Sequence, residues 1–456
     1  MSRILAGICA LLFTLSASVF AQSYKMLYEF GVDPAGPGSA NYWSTLVQSR
    51  GGYLFDTSNG PIIFRMTPSG KLTVISNKAG RGGLSMGTDG RFYGSSVSGG
   101  AHGLGMVYQV DSLGNFKILH SFGSTNGDGD SPAGAPVQSF AGNYFYGTTS
   151  SLATQNDSTV YRVNKYGKYE LLKDVPKVSG TFMYYPLVQG PDFYFYGTAP
   201  AGGAHNAGSI FRINSAGSFE VLYDFDGTLG SPWGGLVQTD DGSFYGVTQT
   251  GGPNGTSSSG GVLYRLAPDR TFTVLHSFGA AGDGTLVQGG LTIGNDGNLY
   301  GTTSYGGANG SGVLFRIAPD GSGYSILYNF VPHANGNYPL NPLTQHTNGR
   351  FYGTTGMGGN NDFTVGDGVI FSYDAGLPPF VSYLPVYGSV GAKVDILGQG
   401  FTASSHTSFN GVPAQTTVVY PTYLTAIVPA GATTGYITVT TASGTLKSNR
   451  IFTVQP

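Results

Sequence analysis

The chain has 456 residues, a formal net charge of −2 and only 10% charged residues, against roughly 25% in an average globular domain. This weak, balanced charge excludes the basic surface that recognition of nucleic acid or of an anionic membrane requires. With 75 glycines, 30 tyrosines and 28 phenylalanines, the composition excludes a disordered chain and favours turn-rich β-structure over helices.

The first segment has the pattern of an export signal. Arg3 supplies the positive charge, an apolar run extends from Ile4 to Phe13, and Ala21 completes a cleavage site. The run is shorter than the roughly 20 residues that span a bilayer, so a cleaved signal over residues 1–21 is favoured over a membrane anchor. Cys9, the single cysteine, lies inside it. We therefore expect a secreted protein, extracellular or periplasmic or held at the cell surface, with no disulfide and no transmembrane segment after cleavage.

One sequence unit then recurs seven times. Its clearest copy runs from Leu236 to Gly246. Each copy has four short runs of β-branched or aromatic residues bounded by Gly, Asp, Pro and Ser, a pattern that predicts strands. Four strands in about 50 residues predict one blade of a β-propeller. The aromatic residue that anchors the copies recurs at Phe55, Tyr93, Tyr146, Tyr196, Tyr245, Tyr300 and Tyr352.

The ends of the array predict how it closes. The seventh copy stops after Val369–Tyr373 without a fourth strand, and Ser23–Phe30 has the fourth-strand pattern but precedes the first copy. Pairing the two segments removes two exposed sheet edges. The sequence thus predicts an all-β fold, a seven-bladed β-propeller over residues 22–375 closed by its N-terminal strand.

The loops predict which face carries function. If Ser23–Phe30 is an outermost strand, the tight turns all lie on one face and the long, variable loops on the other. One position of the long-loop face, three residues before each innermost strand's Leu or Pro, forms a predicted ring around the channel mouth. Aromatic faces there would stack on sugars or apolar ligands, and the alternative is that they plug the channel and pack between blades. Our candidate ligand-binding residues are Trp43, Arg81, Tyr184, Trp233 and Gln288, and the ring also includes Ala133 and Leu340.

No motif predicts a catalytic residue, a metal or a cofactor. Gly83–Gly87 matches G-x-S-x-G, but Ser85 falls in a predicted strand rather than a strand-turn-helix elbow. Asn126–Asp130 resembles the start of a calcium loop, but Val137 replaces the required glutamate, so a local turn is favoured. Arginines recur on the third strand and predict a carboxylate or aromatic partner in each blade. They are Arg65, Arg162, Arg212, Arg265 and Arg316.

Beyond a Pro-rich linker, residues 376–456 predict a separate small β-sandwich of six or seven strands. Val394–Phe401, with its Gly398-Gln399-Gly400 turn, and Phe409–Ala414 resemble an IPT/TIG immunoglobulin-like domain. Relatives of this domain include DNA-binding modules. Because this copy has only Lys393, Lys447 and Arg450 as basic residues, the resemblance implies an extracellular spacer or interaction module instead.

The repeats resemble the GloVer-type tandem repeats of bacterial secreted and surface proteins. The residues that carry the resemblance are Leu236–Gly246, Gly251-Gly252, and Gly312–Ile317 with its Pro319-Asp320-Gly321 turn. The first and third copies depart from it, since they lack the Gly-Gly doublet. The resemblance implies no catalytic residues and no particular ligand.

These observations favour a non-enzymatic recognition or adhesion protein that binds a glycan or an extracellular protein through the long-loop face. The alternative is a secreted polysaccharide lyase or glycosidase at the channel mouth, where the loop residues His102, His205 and His333 would act. A structural surface component is a third interpretation. The sequence leaves the oligomeric state open.

Overall fold

The computed structural model describes residues 23–41, 44–124, 127–150, 158–176, 183–332, 335–359 and 367–455. All regular structure in these ranges is β, which confirms the all-β class predicted from composition. No helix in them is long and apolar enough to cross a membrane. The predicted export signal lies outside the described residues.

Seven antiparallel sheets, each with at least four strands, follow the seven repeats. Sheet 1 contains Val47–Gln48, Leu54–Thr57, Ile63–Met66 and Leu72–Ser76. Sheet 2 contains Leu84–Met86, Phe92–Ser96, Met106–Val110 and Phe116–Ser121. Sheet 3 contains Val137–Gln138, Phe145–Thr148, Ser158–Val163 and Tyr169–Val175. Sheet 4 contains Val188–Gln189, Phe195–Ala199, Ser209–Ile213 and Phe219–Asp224.

The remaining sheets continue the pattern. Sheet 5 contains Val237–Gln238, Phe244–Val247, Val262–Leu266 and Phe272–Ser277. Sheet 6 contains Leu291–Ile293, Leu299–Thr303, Val313–Ile317 and Ser325–Asn329, beside a short pair formed by Gly284–Thr285 and Tyr305–Gly306. Sheet 7 contains Asn337–Pro339, Thr344–Gln345, Phe351–Met357, Val369–Asp374 and Ser23–Glu29.

Two adjacent residues on each second strand, Phe-Tyr in five of the seven sheets, pack neighbouring sheets together. Successive side chains of a strand point to opposite faces, so the first residue of the pair meets one neighbouring sheet and the second meets the other. Tyr93 stacks on Phe145 with ring centroids 3.6 Å apart, and Tyr146 stacks on Phe195 at 3.9 Å. Where sheet 6 has Leu299 instead of Phe, it packs with Tyr245 in the same way. Each sheet therefore shares a buried apolar cluster with the next sheet along the chain.

The last sheet packs on the first. Tyr352 and Ile370 of sheet 7 share one buried cluster with Leu46 and Leu54 of sheet 1. The N-terminal strand Ser23–Glu29 pairs antiparallel with Val369–Asp374, as the sequence predicted. Sheet 7 thus contacts sheet 1, so the contacts between consecutive sheets form a closed cycle.

The C-terminal residues form two further sheets over one buried core, which includes Tyr383, Ile396, Phe409, Ile437 and Phe452. One sheet contains Ser382–Leu384, Lys393–Leu397, Thr416–Tyr420 and Tyr423–Ile427. The other contains Tyr387–Ser389, His406–Phe409, Val412–Ala414, Gly435–Thr441 and Gly444–Gln455. We call these two sheets the C-terminal unit.

Removing residues 23–30 from the mature chain tests the closing strand. This deletion exposes the edge of Val369–Asp374 and removes Phe30, a buried residue of the cluster between sheets 7 and 1. Loss of a buried Phe costs about 3 kcal/mol or more, and a free edge pairs with other chains. We expect a lower Tm and concentration-dependent self-association, both reversed by a synthetic peptide of residues 23–30. An unchanged Tm, relative to a chain lacking only residues 1–22, would contradict a closing role.

Candidate functional site

The sheets present two different faces. The turns that join first to second strands are short, as at Asp240–Gly242, and they define what we call the tight-turn face. The segments that lead into first strands and those that leave second strands define the long-loop face, because antiparallel strands alternate direction. The four described candidate residues, Arg81, Tyr184, Trp233 and Gln288, lie in segments that lead into first strands.

Two of the candidate residues come together there. The rings of Tyr184 and Trp233 have centroids 6.0 Å apart, and both side chains are half-buried. The neighbouring Tyr185 is buried and packs edge-on against Trp233 at 6.5 Å. Burial raises the pKa of Tyr184 to about 12, so its hydroxyl stays neutral and able to donate a hydrogen bond. These rings form a partly accessible aromatic pair on sheets 4 and 5.

The other ring positions have varied environments. Arg81 is exposed, and its amide bonds Ser58 O of the preceding sheet at 2.9 Å. Gln288 is half-buried, and its Oε1 accepts a hydrogen bond from the Ser304 hydroxyl at 3.0 Å. Ala133 is fully buried between sheets, as the packing alternative expected. Trp43 lies outside the described residues.

The loop histidines lie toward the outer strands. His102 is exposed and lies against Gly123, just after the outermost strand of sheet 2. His205 is exposed and lies near Asp226, just after the outermost strand of sheet 4. His333 is outside the described residues. The two described histidines therefore do not converge with Tyr184 and Trp233.

Asp56 is a buried acid that the sequence pattern did not single out as a site. It occupies the position where the other six repeats have the glycine of Tyr-Gly, and it is 2% exposed. One carboxylate oxygen accepts hydrogen bonds from the Ser44 hydroxyl and from the Thr57 amide, the latter at 2.7 Å. Burial raises the pKa of Asp56 to about 8, against the lowering effect of the Thr57 amide. The group is therefore mostly protonated at neutral pH.

This shift predicts that Asp56 makes stability fall as pH rises. Between about pH 4 and pH 8 the unfolded chain ionises this carboxyl while the folded chain keeps its proton, so unfolding releases a proton and becomes easier. We expect Asp56→Asn, which keeps the acceptor without the charge, to gain on the order of a few kcal/mol relative to wild type at pH 8 but little at pH 4. Thermal unfolding at both pH values measures the difference.

The matched control is Asp320→Asn, in an exposed turn where hydrogen bonds from Ser322 lower the carboxyl pKa. This substitution removes no buried acid and brings no gain at pH 8. Equal responses of the two variants would contradict the buried, protonated state of Asp56.

Two sequence motifs have structural roles. Ser85 lies within the strand Leu84–Met86, and its hydroxyl donates to Pro136 O of the next sheet, so it is not a hydrolase nucleophile elbow. His120 stacks on Tyr169 of sheet 3 with ring centroids 3.7 Å apart, and its Nε2 lies 3.1 Å from Asp128. The equivalent His276, Asp283 and Tyr324 repeat this arrangement between sheets 5 and 6. A group copied at two sheet junctions is a packing device.

Four of the five third-strand arginines have a partner of the predicted kind, and one of them, Arg265, pairs with Asp241 at 3.0 Å. Arg162 pairs with Glu170 and lies 4.6 Å from the Tyr144 ring centre. Arg212 pairs with Glu220 at 2.7 Å, and Arg65 lies over the ring of Tyr53. These arginines tie strands together within each sheet, and we assign them no ligand.

Glutamines join neighbouring sheets on the tight-turn face. Where a first strand ends in Gln, its Oε1 accepts the amide N–H of a turn residue in the preceding sheet, at 2.6 to 2.9 Å. Three junctions lack this bond for visible reasons: Met86 and Ile293 replace the glutamine, and Pro191 offers no N–H to Gln238. The four pairs are Gln48 with Thr347, Gln138 with Thr88, Gln189 with Phe140 and Gln345 with Asn295.

The C-terminal unit packs onto these same turns. Asn295 Nδ2 donates to Pro378 O at 2.9 Å, and the Thr347 hydroxyl bonds Gly398 O at 3.3 Å. On the far side, Phe140 meets the edge of Tyr387 at a centroid distance of 4.9 Å. The region expected as a spacer or interaction module thus contacts the turns of several sheets.

Arg50 is the charged anchor of this contact. It pairs with Asp395 at 2.5 Å, and its guanidinium carbon lies 4.7 Å from the centre of the Tyr423 ring. The side chains of Arg50 and Asp395 are 24% and 13% exposed, so solvent screens the pair only in part. The backbone carbonyl of Arg50 also accepts a hydrogen bond from the Thr422 hydroxyl at 2.8 Å.

A double-mutant cycle of Arg50→Ala and Asp395→Ala measures this anchor. We expect a coupling energy of about 1 kcal/mol in denaturant unfolding, above the usual value for a fully exposed pair. The control cycle uses Arg91 and Asp89, a pair on the adjacent turn with a 3.4 Å separation and a half-exposed arginine. Its coupling should be near zero, and equal couplings in the two cycles would argue against a docking role for Arg50.

A cavity of about 1470 Å³ runs along the first strands, from Thr45 and Pro342 on the long-loop side to the tight turns and the C-terminal unit. First-strand residues such as Val188 and Val237 form one wall, and Tyr387 and Arg450 belong to the opposite wall. On the long-loop side, a smaller cavity of about 120 Å³ is lined by Tyr185, Leu236 and other residues. Among the described residues, no three His, Cys, Asp or Glu side chains are grouped so that they could hold a metal ion.

The fold and this site define a tandem-repeat protein of propeller-like β-sheets. The family model of the Gloeobacter/Verrucomicrobia repeat matches residues 44–256 and 228–390, which is more than half of the chain. The chain therefore belongs to the Gloeobacter/Verrucomicrobia repeat family. No curated protein matches it by sequence.

Solved structures of similar fold are distant in sequence. A fungal alcohol oxidase of the AA5 family, in complex with copper, is 12% identical, with 95% of this chain and 100% of that chain covered and a TM-score of 0.55. A Bacteroides thetaiotaomicron protein of unknown function is 15% identical, with 78% and 76% covered and a TM-score of 0.46. The periplasmic gluconolactonase of Pseudomonas aeruginosa is 13% identical, with 72% and 97% covered and a TM-score of 0.43. The likeness to the oxidase shows the fold alone.

Proposed function

We propose that this chain is a secreted recognition protein whose long-loop face binds a glycan or an extracellular protein. In this proposal residues 1–21 are the export signal, residues 22–375 form a closed seven-bladed propeller, and residues 376–456 form an immunoglobulin-like domain of the IPT/TIG type. The cycle of contacts between sheets supports the blade count, and the two sheets over one core support the sandwich.

The observation that carries the proposal is the occupation of the tight-turn face. Because the C-terminal unit contacts turns of sheets 1, 3, 6 and 7, a large partner has access to the long-loop face instead. Binding residues concentrate on loops held by a rigid scaffold. The half-buried pair of Tyr184 and Trp233 offers an aromatic surface of the kind that stacks on sugar rings.

The alternative function, a lyase or glycosidase, needs a convergent set of polar groups. The exposed His102 and His205 lie near the outermost strands rather than beside Trp233. Recognition therefore accounts better for the arrangement of the described residues. Turnover of a polysaccharide by the purified protein, abolished by a single His102 or His205 substitution, would overturn this preference.

Glycan-array and cell-wall pulldown measurements test the long-loop site. We expect Tyr184→Ala combined with Trp233→Ala to weaken binding by about ten-fold or more, since each stacked aromatic contributes on the order of 1 kcal/mol. Trp43→Ala extends the test to the remaining aromatic candidate. The control is Tyr166→Ala, which removes a 76% exposed tyrosine from a third-to-fourth-strand turn on the opposite face. Binding unaffected by the double substitution, or lost equally with the control, would contradict this site.

A further inference from the structure

The C-terminal unit concentrates its positive charge at the cavity beneath it. Residues 376–456 contain three basic residues, Lys393, Lys447 and Arg450, and the single acidic residue Asp395. Asp395 is paired with Arg50, whereas Lys447 and Arg450 both line the cavity. Within the described part of the chain, neither of these two cations has an ion-pair partner. The cavity wall formed by this unit is therefore cationic.

Hydrogen bonds to its carbonyl fix the backbone of Arg450, and its side chain stays available to bind a ligand. Its carbonyl accepts hydrogen bonds from the hydroxyls of Tyr383 at 3.0 Å and Ser448 at 2.8 Å. The guanidinium carbon lies 5.8 Å from the centre of the Tyr383 ring, and the guanidinium donates no hydrogen bond to any described residue. Surrounding protein lowers the pKa of Arg450, yet the side chain remains exposed to the cavity and charged. Its planar set of N–H donors matches a carboxylate.

The carboxylates of the opposite wall are mostly engaged elsewhere. Asp241 is paired with Arg265 at 3.0 Å, and Asp296 accepts a hydrogen bond from Tyr300 at 2.9 Å. Asp240 accepts the amide of Ile451 at 3.4 Å and is the carboxylate that acts on Arg450 electrostatically. Tyr300 is neutral and leaves the charge of Asp296 in place, so the attraction for anions is confined to the wall formed by Lys447 and Arg450.

Phe193 gives the cavity an unusual aromatic surface. It is 48% exposed, lines the cavity and meets the edge of Tyr387 at a centroid distance of 5.6 Å. Its φ is 65°, in the left-handed region that residues with a side chain adopt only at an energetic cost. The other six tight turns have glycine at this position: Gly52, Gly90, Gly142, Gly242, Gly297 and Gly349. A strained aromatic residue in place of glycine, with its ring facing a cavity, indicates function.

We propose that this cavity binds an acidic oligosaccharide, with a sugar carboxylate on Arg450 and Lys447 and a sugar ring stacked on Phe193 and Tyr387. The volume of about 1470 Å³ exceeds that of a typical small-molecule pocket, which favours an oligomer over a single sugar. The exposed cations and ring favour an acidic sugar over a neutral one. Tyr184 and Trp233 do not line this cavity, and the residues proposed to hold the sugar lie at its tight-turn end, so the proposal does not depend on the long-loop site.

Titration of the full mature protein with oligogalacturonate, alginate and hyaluronan fragments, and with neutral oligosaccharides of the same length, tests the proposal. We expect one or more acidic oligomers to bind with an affinity that falls as salt rises, and neutral ones to bind much more weakly. Arg450→Gln should weaken binding by about ten-fold or more, and Arg450→Lys by less, because it keeps the charge without the planar donor set. The control is Lys393→Gln, an equal loss of charge on the same unit outside the cavity.

Phe193→Gly separates binding from folding. It restores the residue of the other six turns, so Tm should hold or rise while oligosaccharide affinity falls. Binding to none of the acidic oligomers, equal binding of neutral ones, or affinity unchanged in Arg450→Gln and Phe193→Gly would each overturn the proposal. Tyr184→Ala with Trp233→Ala should leave this binding intact, which distinguishes it from the long-loop site.

Discussion

Packing between sheets, carried by one dipeptide per repeat that is Phe-Tyr in five of the seven, is the interaction on which the rest of the molecule depends. The two residues of the dipeptide are adjacent on a strand and point to opposite faces, so each sheet joins both neighbours through a single dipeptide. Five junctions stack two aromatic rings, with centroids 3.6 to 4.3 Å apart, and the other two place Tyr against Leu. Glutamine side chains add hydrogen bonds at four junctions, whereas this apolar packing is present at all seven.

The glycine after each Phe-Tyr step follows from the same packing. An added Cβ at Gly94 or Gly246 would lie 2.4 Å or 2.3 Å from the tyrosine ring or hydroxyl of the third strand, so no side chain fits there. Sheet 1 breaks this rule with Asp56, whose register partner is Phe64. A carboxyl in that space loses its water, and the result is a protonated acid with Ser44 and Thr57 as partners. One substitution in a repeat thus converts a packing position into a titratable one.

The repeating part of the fold was predictable from sequence because the residue patterns that produce it occur several times in the chain. The strands, the pairing of Ser23–Glu29 with the last sheet and the arginine partners all follow from patterns present several times in the chain. The long-loop ring was predictable only as a position, since its residues differ from sheet to sheet. Among its described residues, Tyr184 and Trp233 are the pair whose rings contact each other. The docking of the C-terminal unit was not predictable. It uses turn residues such as Arg50 and Thr347, at a position where the seven copies have six different residue types and therefore share no pattern.

The contacts between the tight turns and the C-terminal unit explain why these turn residues vary. Each tight turn has a variable residue two positions after the Gln, Met or Ile that ends the first strand. At four junctions the backbone amide of this residue donates the hydrogen bond to the neighbouring sheet, so its side chain is free to vary. Arg50, Phe140, Asn295 and Thr347 at this position hold the C-terminal unit. At the same position in sheet 4, Pro191 leaves the junction without the amide bond, and Phe193 two residues later faces the cavity. The cavity is lined by Phe140 and Asn295 of the holding turns and by Phe193 and Asp240 of sheets 4 and 5. Arg450 and Lys447 belong to its opposite wall.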